Sequence, residues 1–374
     1  MTDIHALLDR HAETQLSEVE AIAAIPAPSF EEYDRAVHMA RRFREVGLSE
    51  VTIDEAKNVR GFLPVGTAHP HVVLAAHIDT VYPRETHQPP QRAGSRLVGS
   101  SVKDNSPGAA ALIALARALL AVGAPSPARL EFVATTGEEG LGDLRGIRFR
   151  LRPEEVRPDA VLVIDGQLGH IVHQGIAVKR YVVRFETGGG HSWGDFGAPS
   201  AIHHCASLIH ALAQTSVPSD PKTTFNVGVI HGGTSVNAIA ASAEIQIDFR
   251  STEGRYVDEL SARLERLSKD EEEKGVRVAT KTIGDRPGGR IALEHPLVRE
   301  VRDAHRAHGI EPRFTAASTD ANIPLALGIP AVSMGVASGG HVHSPREWLD
   351  TASLLPGLHL LADTVFRVVK TAAG

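Results

Sequence analysis

The sequence predicts an α/β protein with a second, ferredoxin-like domain inserted into it. Three observations lead there. Short apolar runs rich in β-branched residues, such as Val72-Val73-Leu74-Ala75-Ala76, alternate with helical segments through the first half of the chain, the pattern of a sheet with helices on its faces. Between about residues 176 and 290 the order changes to β-α-β-β-α-β, that of a ferredoxin-like sandwich. The α/β pattern then resumes. A chain of 374 residues is long for one core, so two domains are expected. Residues 1–175 with 291–374 form one and residues 176–290 the other.

Each element has its own signal. Residues 3–24 place Ile4, Leu7, Leu8, Leu16, Val19 and Ile22 at helical spacing, and Pro26 and Pro28 end that helix. Ser29 with Glu31 and Glu32 caps a second helix, which runs to about Val46 and stops at Gly47. Strands are expected near 50–54, 59–64 and 72–77. The polar stretch 83–101 reads as a long loop, and loops of that length in compact domains are usually functional. An Ala/Leu-rich helix follows over 109–122, then strands at 129–135 and 160–164. In the insert, strands at 178–186, 223–231, 241–250 and 276–283 alternate with helices at 199–213 and 256–273. A helix at 297–308, a strand at 331–335 and a helix at 351–369 complete the chain.

Composition narrows the class. The apolar fraction of 42% and charged fraction of 22% are those of a soluble globular protein. A net charge of -6 gives no reason to expect nucleic acid or an anionic membrane as partner. The single cysteine, Cys205, excludes an internal disulfide and a cysteine-based metal cluster, and suits a cytoplasmic protein. No signal peptide is expected, because Asp3, Asp9 and Glu13 interrupt the first turns. The longest apolar helical stretch, 109–123, contains Arg117 and is too short to span a membrane.

The chemistry gathers at the ends of strands. In a strand, positions i and i+2 face the same side, so His77 and Asp79 project together from the end of the 72–77 strand. In open α/β sheets that edge is where ligands bind, and a metal-binding imidazole usually gives its other ring proton to a carboxylate. Asp104, Glu138, Glu139, Asp165 and His343 also follow strands or lie in loops of the same domain. Carboxylates brought together without a cation would be costly to keep ionised. A pair of divalent cations resolves this, and a mixed His/carboxylate set without cysteine suits catalytic zinc, cobalt or manganese. Of two adjacent glutamates, one can bind metal while the other serves as a base. Singly, each residue has a plain structural reading: Glu138-Glu139 as a solvated loop, His341 and His343 as loop surface, Asp165 as a cap. Their order and spacing together carry the signal.

The motifs are His-Ile-Asp-Thr-Val at 77–81, Lys-Asp-Asn-Ser-Pro-Gly at 103–108, Thr-Gly-Glu-Glu-Gly at 136–140, Ile-Asp-Gly at 164–166, Gly-Gly-His-Ser-Trp at 189–193, Gly-Gly-Thr-Ser-Val-Asn at 232–237, Ser-Thr-Asp-Ala-Asn at 318–322 and His-Ser-Pro-Arg-Glu at 343–347. With these the chain resembles the co-catalytic zinc aminoacylase and exopeptidase family, from about residue 22 to residue 365. That family includes peptidase T, glutamate-releasing carboxypeptidases, acetylornithine deacetylase and succinyl-diaminopimelate desuccinylase. The motifs are specific for the family and nearly silent on substrate.

The resemblance implies a zinc-exopeptidase-type sheet flanked by helices, and two zinc ions per chain, with Co2+ or Mn2+ as substitutes. Asp104 would bridge them, His77 and Asp165 completing one metal and Glu139 and His343 the other. Asp79 would orient His77, and Glu138 would be the general base. A cis peptide is expected between Asp104 and Asn105, and Ser106 stands where the family often has lysine. His191 matches a histidine that reaches a neighbouring subunit's active site, which implies a homodimer. Asn237 and Arg250 match positions that hold the substrate's backbone or carboxylate. Thr319 and Asp320 would support the metal ligands or the substrate wall. On the residues alone, Gly188-Gly189-Gly190 is a flexible strand end and Arg250 a sheet-face ion pair. The implied function is a dinuclear zinc hydrolase cleaving an amide bond of a small peptide as an exopeptidase. One alternative is a deacylase of an N-acyl amino acid. Another is a non-catalytic metal- or ligand-binding protein on the same fold, against which stands the presence of all five ligand positions and Glu138.

Overall fold

A computed structural model describes residues 4–64, 69–123 and 128–372. The expected helix start at Asp3 lies outside the described residues. The chain divides into two compact units, Met1–Gly175 with Arg290–Gly374, and Ile176–Gly289.

In the first unit, strands Arg129–Thr135, His71–His77, Ala160–Leu168 and Ala331–Gly335 lie side by side and parallel. Every residue of His71–His77 is buried, so both faces of that strand are covered. Antiparallel strands extend the sheet. Val59–Phe62 and then Ser49–Ile53 add on one side, and His170–Gly175 on the other, with Arg313–Ala317 beside it.

Helix Ser106–Val122 packs on the central strands and is covered in turn by helices Ile4–Arg10, Ala12–Ala23, Tyr33–Val46 and Leu354–Ala372. Its start is set by Asn105, whose side-chain oxygen accepts from Gly108 N at 3.2 Å, an N-cap that satisfies a free helix donor. Glycine is required at 108, because a Cβ there would meet Ile164 O at 2.4 Å. Gly123 ends the helix in the left-handed region, with φ 66°.

Some elements differ from the sequence expectation. The 3–24 segment is two helices, Ile4–Arg10 and Ala12–Ala23, broken at His11. The 83–101 stretch contains short strands Gln91–Ala93 and Arg96–Val98, which pair with Trp348–Asp350 and Gly339–Gly340 in a small separate sheet. Strands this short, paired with the far end of the chain, leave no local periodicity to read. Among the described residues, segment Thr351–Ala372, at 22 residues, is longer than the 109–123 stretch and is the helix long and apolar enough by length and composition to cross a membrane. Leu358, Leu361, Val365 and Val368 lie in the core of the first unit, so its apolar face packs as that of a core helix.

In the second unit a four-stranded antiparallel sheet runs in the order Thr223–Gly232, Ser242–Ser251, Ala177–Glu186, Arg277–Arg286. Helices Ala201–Ala213 and Gly254–Glu272 pack on it, which makes the ferredoxin-like sandwich. Along Ser242–Ser251, Ala243, Ile245, Ile247 and Phe249 are buried while their neighbours are more exposed, the period-two alternation of a half-buried strand. Cys205 is buried, and burial pushes its thiol up to about 11.

A buried ion cluster braces the strand that leads to the paired glutamates. Glu131, wholly inside, accepts from Arg150 Nε and Nη2 at 2.8 and 2.6 Å and from Arg60 Nε at 2.8 Å. His71 Nε2 lies 2.9 Å from its other oxygen. Burial alone would raise the Glu131 carboxyl, but His71 and Arg150 pull it down to about 2 from 4.5. A carboxylate whose folded pKa is depressed stabilises above its unfolded value and loses that contribution as pH falls through the folded one. Glu131→Gln should therefore cost about 3–5 kcal/mol near neutrality, since it leaves buried guanidinium charge uncompensated. In denaturant unfolding, the gap between wild type and variant should narrow steadily below pH 4.5. A gap that stayed constant would mean that the charge of Glu131 is not what stabilises.

Candidate active site

The parallel strands of the first unit bring their carboxyl ends to one edge, and four of the expected residues follow from that. His77 ends strand His71–His77, Glu138 and Glu139 come just after Arg129–Thr135, and Asp165 lies on Ala160–Leu168. Asp104 directly precedes the Asn105 cap of helix Ser106–Val122. His343 comes from the loop between Gly339–Gly340 and Trp348–Asp350.

These side chains converge. His77 Nε2 lies 3.0 Å from Asp104 Oδ1 and 4.0 Å from Asp165 Oδ1. His343 Nε2 lies 3.2 Å from the other Asp104 oxygen and 2.8 Å from Glu139 Oε1. The two oxygens of Asp104 thus face two different imidazoles, one on each side. Donor atoms of His77, Asp104 and Glu139 all lie within 4.8 Å of one another. The peptide between Asp104 and Asn105 is cis.

Asp79 is fully buried and holds this arrangement from behind. Its Oδ1 accepts from Glu138 N at 2.9 Å, and its Oδ2 from Glu139 N at 2.9 Å and from Ser29 Oγ at 2.6 Å. Its Oδ1 also lies 3.5 Å from His77 Nδ1, whose nearer contact is the Asp79 carbonyl at 3.2 Å. The expected orientation of His77 by Asp79 therefore runs through both backbone and side chain.

Charge is unbalanced in a way that suits cations. Burial above all, with the charge of Asp104, holds Glu139 and Asp165 above the ordinary carboxylate range. Asp104 is pulled well below it, against its burial, by His343 and His77. His343 is pushed up to about 10 by its bonds to Asp104 and Glu139, and His77 is raised in spite of burial. The carboxylates thus draw positive charge onto both imidazoles. Divalent ions would supply that charge instead of protons, and two imidazoles with three carboxylates are a donor set that borderline metals accept. The residues present fit a pair of ions sharing Asp104.

Three residues near the cluster had no assigned role in the sequence reading. Glu347, wholly buried, accepts from Lys103 N and Asp104 N at 2.8 and 2.9 Å and from the Tyr82 hydroxyl at 2.6 Å. Its place at the end of His-Ser-Pro-Arg-Glu was the available signal. Ser29, expected only as part of a helix cap, bonds Asp79. Lys103 is buried and donates from Nζ to Gly166 O at 2.7 Å. Asp320 accepts from Thr135 Oγ1 at 2.5 Å, and burial lifts its carboxyl to about 6. Thr319 forms part of a local turn, its hydroxyl accepting from Ala321 N at 3.2 Å. Asp320 also feels the charges of His77, Asp79 and Asp165, which sets it beside the cluster.

In the second unit, His191 and Asn237 are neighbours. Strand Gly190–His191 pairs with Ala238–Ile239, and Ser192 N donates to Asn237 O at 3.0 Å. His191 is exposed, and Trp193 N and Gly194 N both donate towards its Nδ1 at 3.2 and 3.3 Å. With Nδ1 accepting both amides, the proton of the neutral ring falls on Nε2. Arg250 is turned onto Asp248 of its own sheet, Nε to Oδ2 at 2.6 Å, which is the ion-pair reading of this residue.

Known proteins resemble this chain in sequence and in fold. Acetylornithine deacetylase of Klebsiella pneumoniae is 24% identical over 248 residues, and the match spans 63% of each chain. The solved structure of a tripeptidase from Staphylococcus aureus superposes with a TM-score of 0.80 at 22% identity, over 97% of this chain and 98% of that one. A dinuclear metal binding peptidase of the M20 family from Bacillus subtilis gives 0.72 at 16% identity, over 97% and 99%. The two structures share the fold. The profile of Peptidase family M20/M25/M40 matches residues 73–367, most of the chain and every segment of the His/carboxylate cluster, and the protein belongs to that family of metallohydrolases.

Proposed function

We propose that this protein is a dinuclear zinc exopeptidase that cleaves an amide bond of a small peptide in the cytoplasm. The observation that carries the reading is the partly buried Asp104 carboxylate with an imidazole on each of its oxygens, flanked by Glu139 and Asp165. In this reading Asp104 would be shared between two ions, His77 and Asp165 would hold one, and Glu139 and His343 the other. Zinc there would act as a Lewis acid on the scissile carbonyl and make water a nucleophile at neutral pH.

The protein's own part is positioning and proton transfer. Asp79 clamps the backbone amides of both glutamates, so that Glu139 turns to His343 while Glu138 is left for the substrate side. Glu138 takes the proton of the attacking water and returns it to the leaving amine. Its buried position keeps bulk water from competing for that proton. Asn237 and Arg250 hold the substrate's backbone and carboxylate, for which Arg250 must exchange Asp248 for the ligand. His191, with its proton on Nε2, donates to the developing oxyanion. We assign it to the active site of a second subunit, in a homodimer formed through the inserted unit. Trp193, Phe196 and Val236 of that unit are nearly fully exposed, as apolar side chains awaiting a partner would be.

A second reading, deacylation of an N-acyl amino acid, is favoured by the name of the curated relatives, acetylornithine deacetylase. Turnover of a panel of di- and tripeptides and N-acyl amino acids, with metal content measured alongside, separates the two. Absence of turnover on every member by metal-loaded protein would sink both.

Three outcomes follow from the assigned roles. Asp104→Ala should lose affinity at both metal positions, so elemental analysis after dialysis should find well under two ions per chain. Two tightly held ions would remove Asp104 from the bridge. Glu138→Gln should keep its metals and fold, and its kcat should fall at least about 10²-fold, while Glu139→Gln should lose or weaken one ion. The reverse pattern would exchange the two roles. Finally, inactive His191→Ala and Glu138→Ala chains, refolded together, should regain part of the activity through hybrid dimers. Hybrids shown to form but lacking activity would place His191 outside its partner's site.

A further inference from the structure

A second group of metal-ligating side chains lies in the first unit, apart from the cluster on Asp104. Asp363, on helix Leu354–Ala372, has one imidazole on each oxygen. His5 Nε2 lies 3.0 Å from Oδ1 and His308 Nε2 lies 2.8 Å from Oδ2. His5 belongs to the first helix, Ile4–Arg10, and His308 is the residue that caps the end of Pro296–Ala307. The three donor atoms lie within 4.8 Å of one another. One turn before Asp363, His359 stacks on the His5 ring with centroids 4.4 Å apart and planes 6° from parallel, and its Nε2 sits 3.0 Å from Asp9 Oδ1. His5, His308 and Asp363 are each partly exposed, so an ion could enter from solvent.

We propose that His5, His308 and Asp363 form a second metal site, for a zinc-like divalent cation, that staples the amino-terminal helix to the two helices beside it. Two imidazoles and one carboxylate are a sufficient protein set for Zn2+, with water completing the shell. Such donors favour zinc, nickel, copper or cobalt over magnesium or calcium. Zinc bonds of about 2.0–2.2 Å set neighbouring donors of a tetrahedral shell about 3.3–3.6 Å apart, a little farther than the two His–Asp contacts at 3.0 and 2.8 Å, and small side-chain turns at a half-exposed site provide the difference. His359, stacked on His5, fixes the plane of that ring and with it the direction of Nε2. The purpose of the staple follows from the helix it holds. Ile4–Arg10 has seven residues, too few to be stable by itself, and it buries only Ile4, Leu7 and Leu8. An ion shared among three helices would fix it to the body of the unit without adding to the core.

The test compares metal content in the intact enzyme. Wild type, Asp363→Asn and His308→Gln are each equilibrated with Zn2+, desalted and analysed for zinc, and assayed on the best peptide of the panel. Each variant should carry one zinc per chain fewer than wild type, with unchanged turnover, because neither residue belongs to the cluster on Asp104. Added Zn2+ should also raise the wild-type melting temperature by roughly 3 °C or more beyond the rise in either variant, because the cluster on Asp104 takes up zinc in all three and only wild type has the second site. Equal zinc content in wild type and both variants would overturn the proposal and leave Asp363 as a hydrogen-bonded clamp between histidines. So would a melting rise on added Zn2+ that is equal in wild type and both variants. The two variants alter different helices, so either alone decides the matter if the other does not fold.

Discussion

One carboxylate without access to solvent, Asp79, is the group on which the active-site geometry depends. A buried charge is costly unless donors surround it. Asp79 has them: the amides of Glu138 and Glu139, the Ser29 hydroxyl and the neighbouring His77 ring. Burial alone would raise its carboxyl, and these partners together hold it below the ordinary range. The consequence is mechanical. Three chain segments, the end of strand His71–His77, the turn after Arg129–Thr135 and the loop bearing Ser29, are tied to one side chain. Two adjacent glutamates are thereby locked at the backbone. Ligands held by a second layer of hydrogen bonds keep their aim when charge on them changes.

Glu347 does for Asp104 what Asp79 does for the glutamates. It accepts from the amides of Lys103 and Asp104 on one oxygen and from Tyr82 on the other. This joins the turn before helix Ser106–Val122 to the loop that carries His343, only four residues earlier in the chain. The small sheet containing Trp348–Asp350 and Arg96–Val98 anchors that loop. The site is therefore built by parallel strands on one side and by a late, irregular segment on the other, with a buried carboxylate at each joint.

The inserted unit follows a different logic. Its core is its own, assembled from alternate residues of four antiparallel strands and the inner faces of two helices. The outer sheet face carries ion pairs, Arg180 and Arg250 with Asp248 and Arg184 with Glu244. Such exposed pairs contribute little to stability, so they can be exchanged for a ligand at small cost. The exposed Trp193 and Phe196 next to His191 are harder to explain for a free monomer, and set this end of the unit apart from the rest of its surface.

What the sequence by itself determined was the order of long elements and the kinds of residues at their ends. The strand of 72–77 could be read because five apolar residues in a row, Val72 to Ala76, must be buried. The helix 199–213 and strand 241–250 could be read because period sets which face is inside. The His/carboxylate set was legible because unusual residues follow strands, and strand ends of a parallel sheet share an edge. The tertiary structure alone decided which side chains meet. Only folding shows that His77 and His343 take opposite oxygens of Asp104, that Glu347 reaches back to the Asp104 amide, and that Arg250 is turned to Asp248. The strands Gln91–Ala93 and Trp348–Asp350 were invisible for the same reason, as was the meeting of His5, His308 and Asp363. Local periodicity records what a residue's near neighbours require of it. Contacts between segments distant in the chain are set by the packing of the whole, and no short stretch carries them.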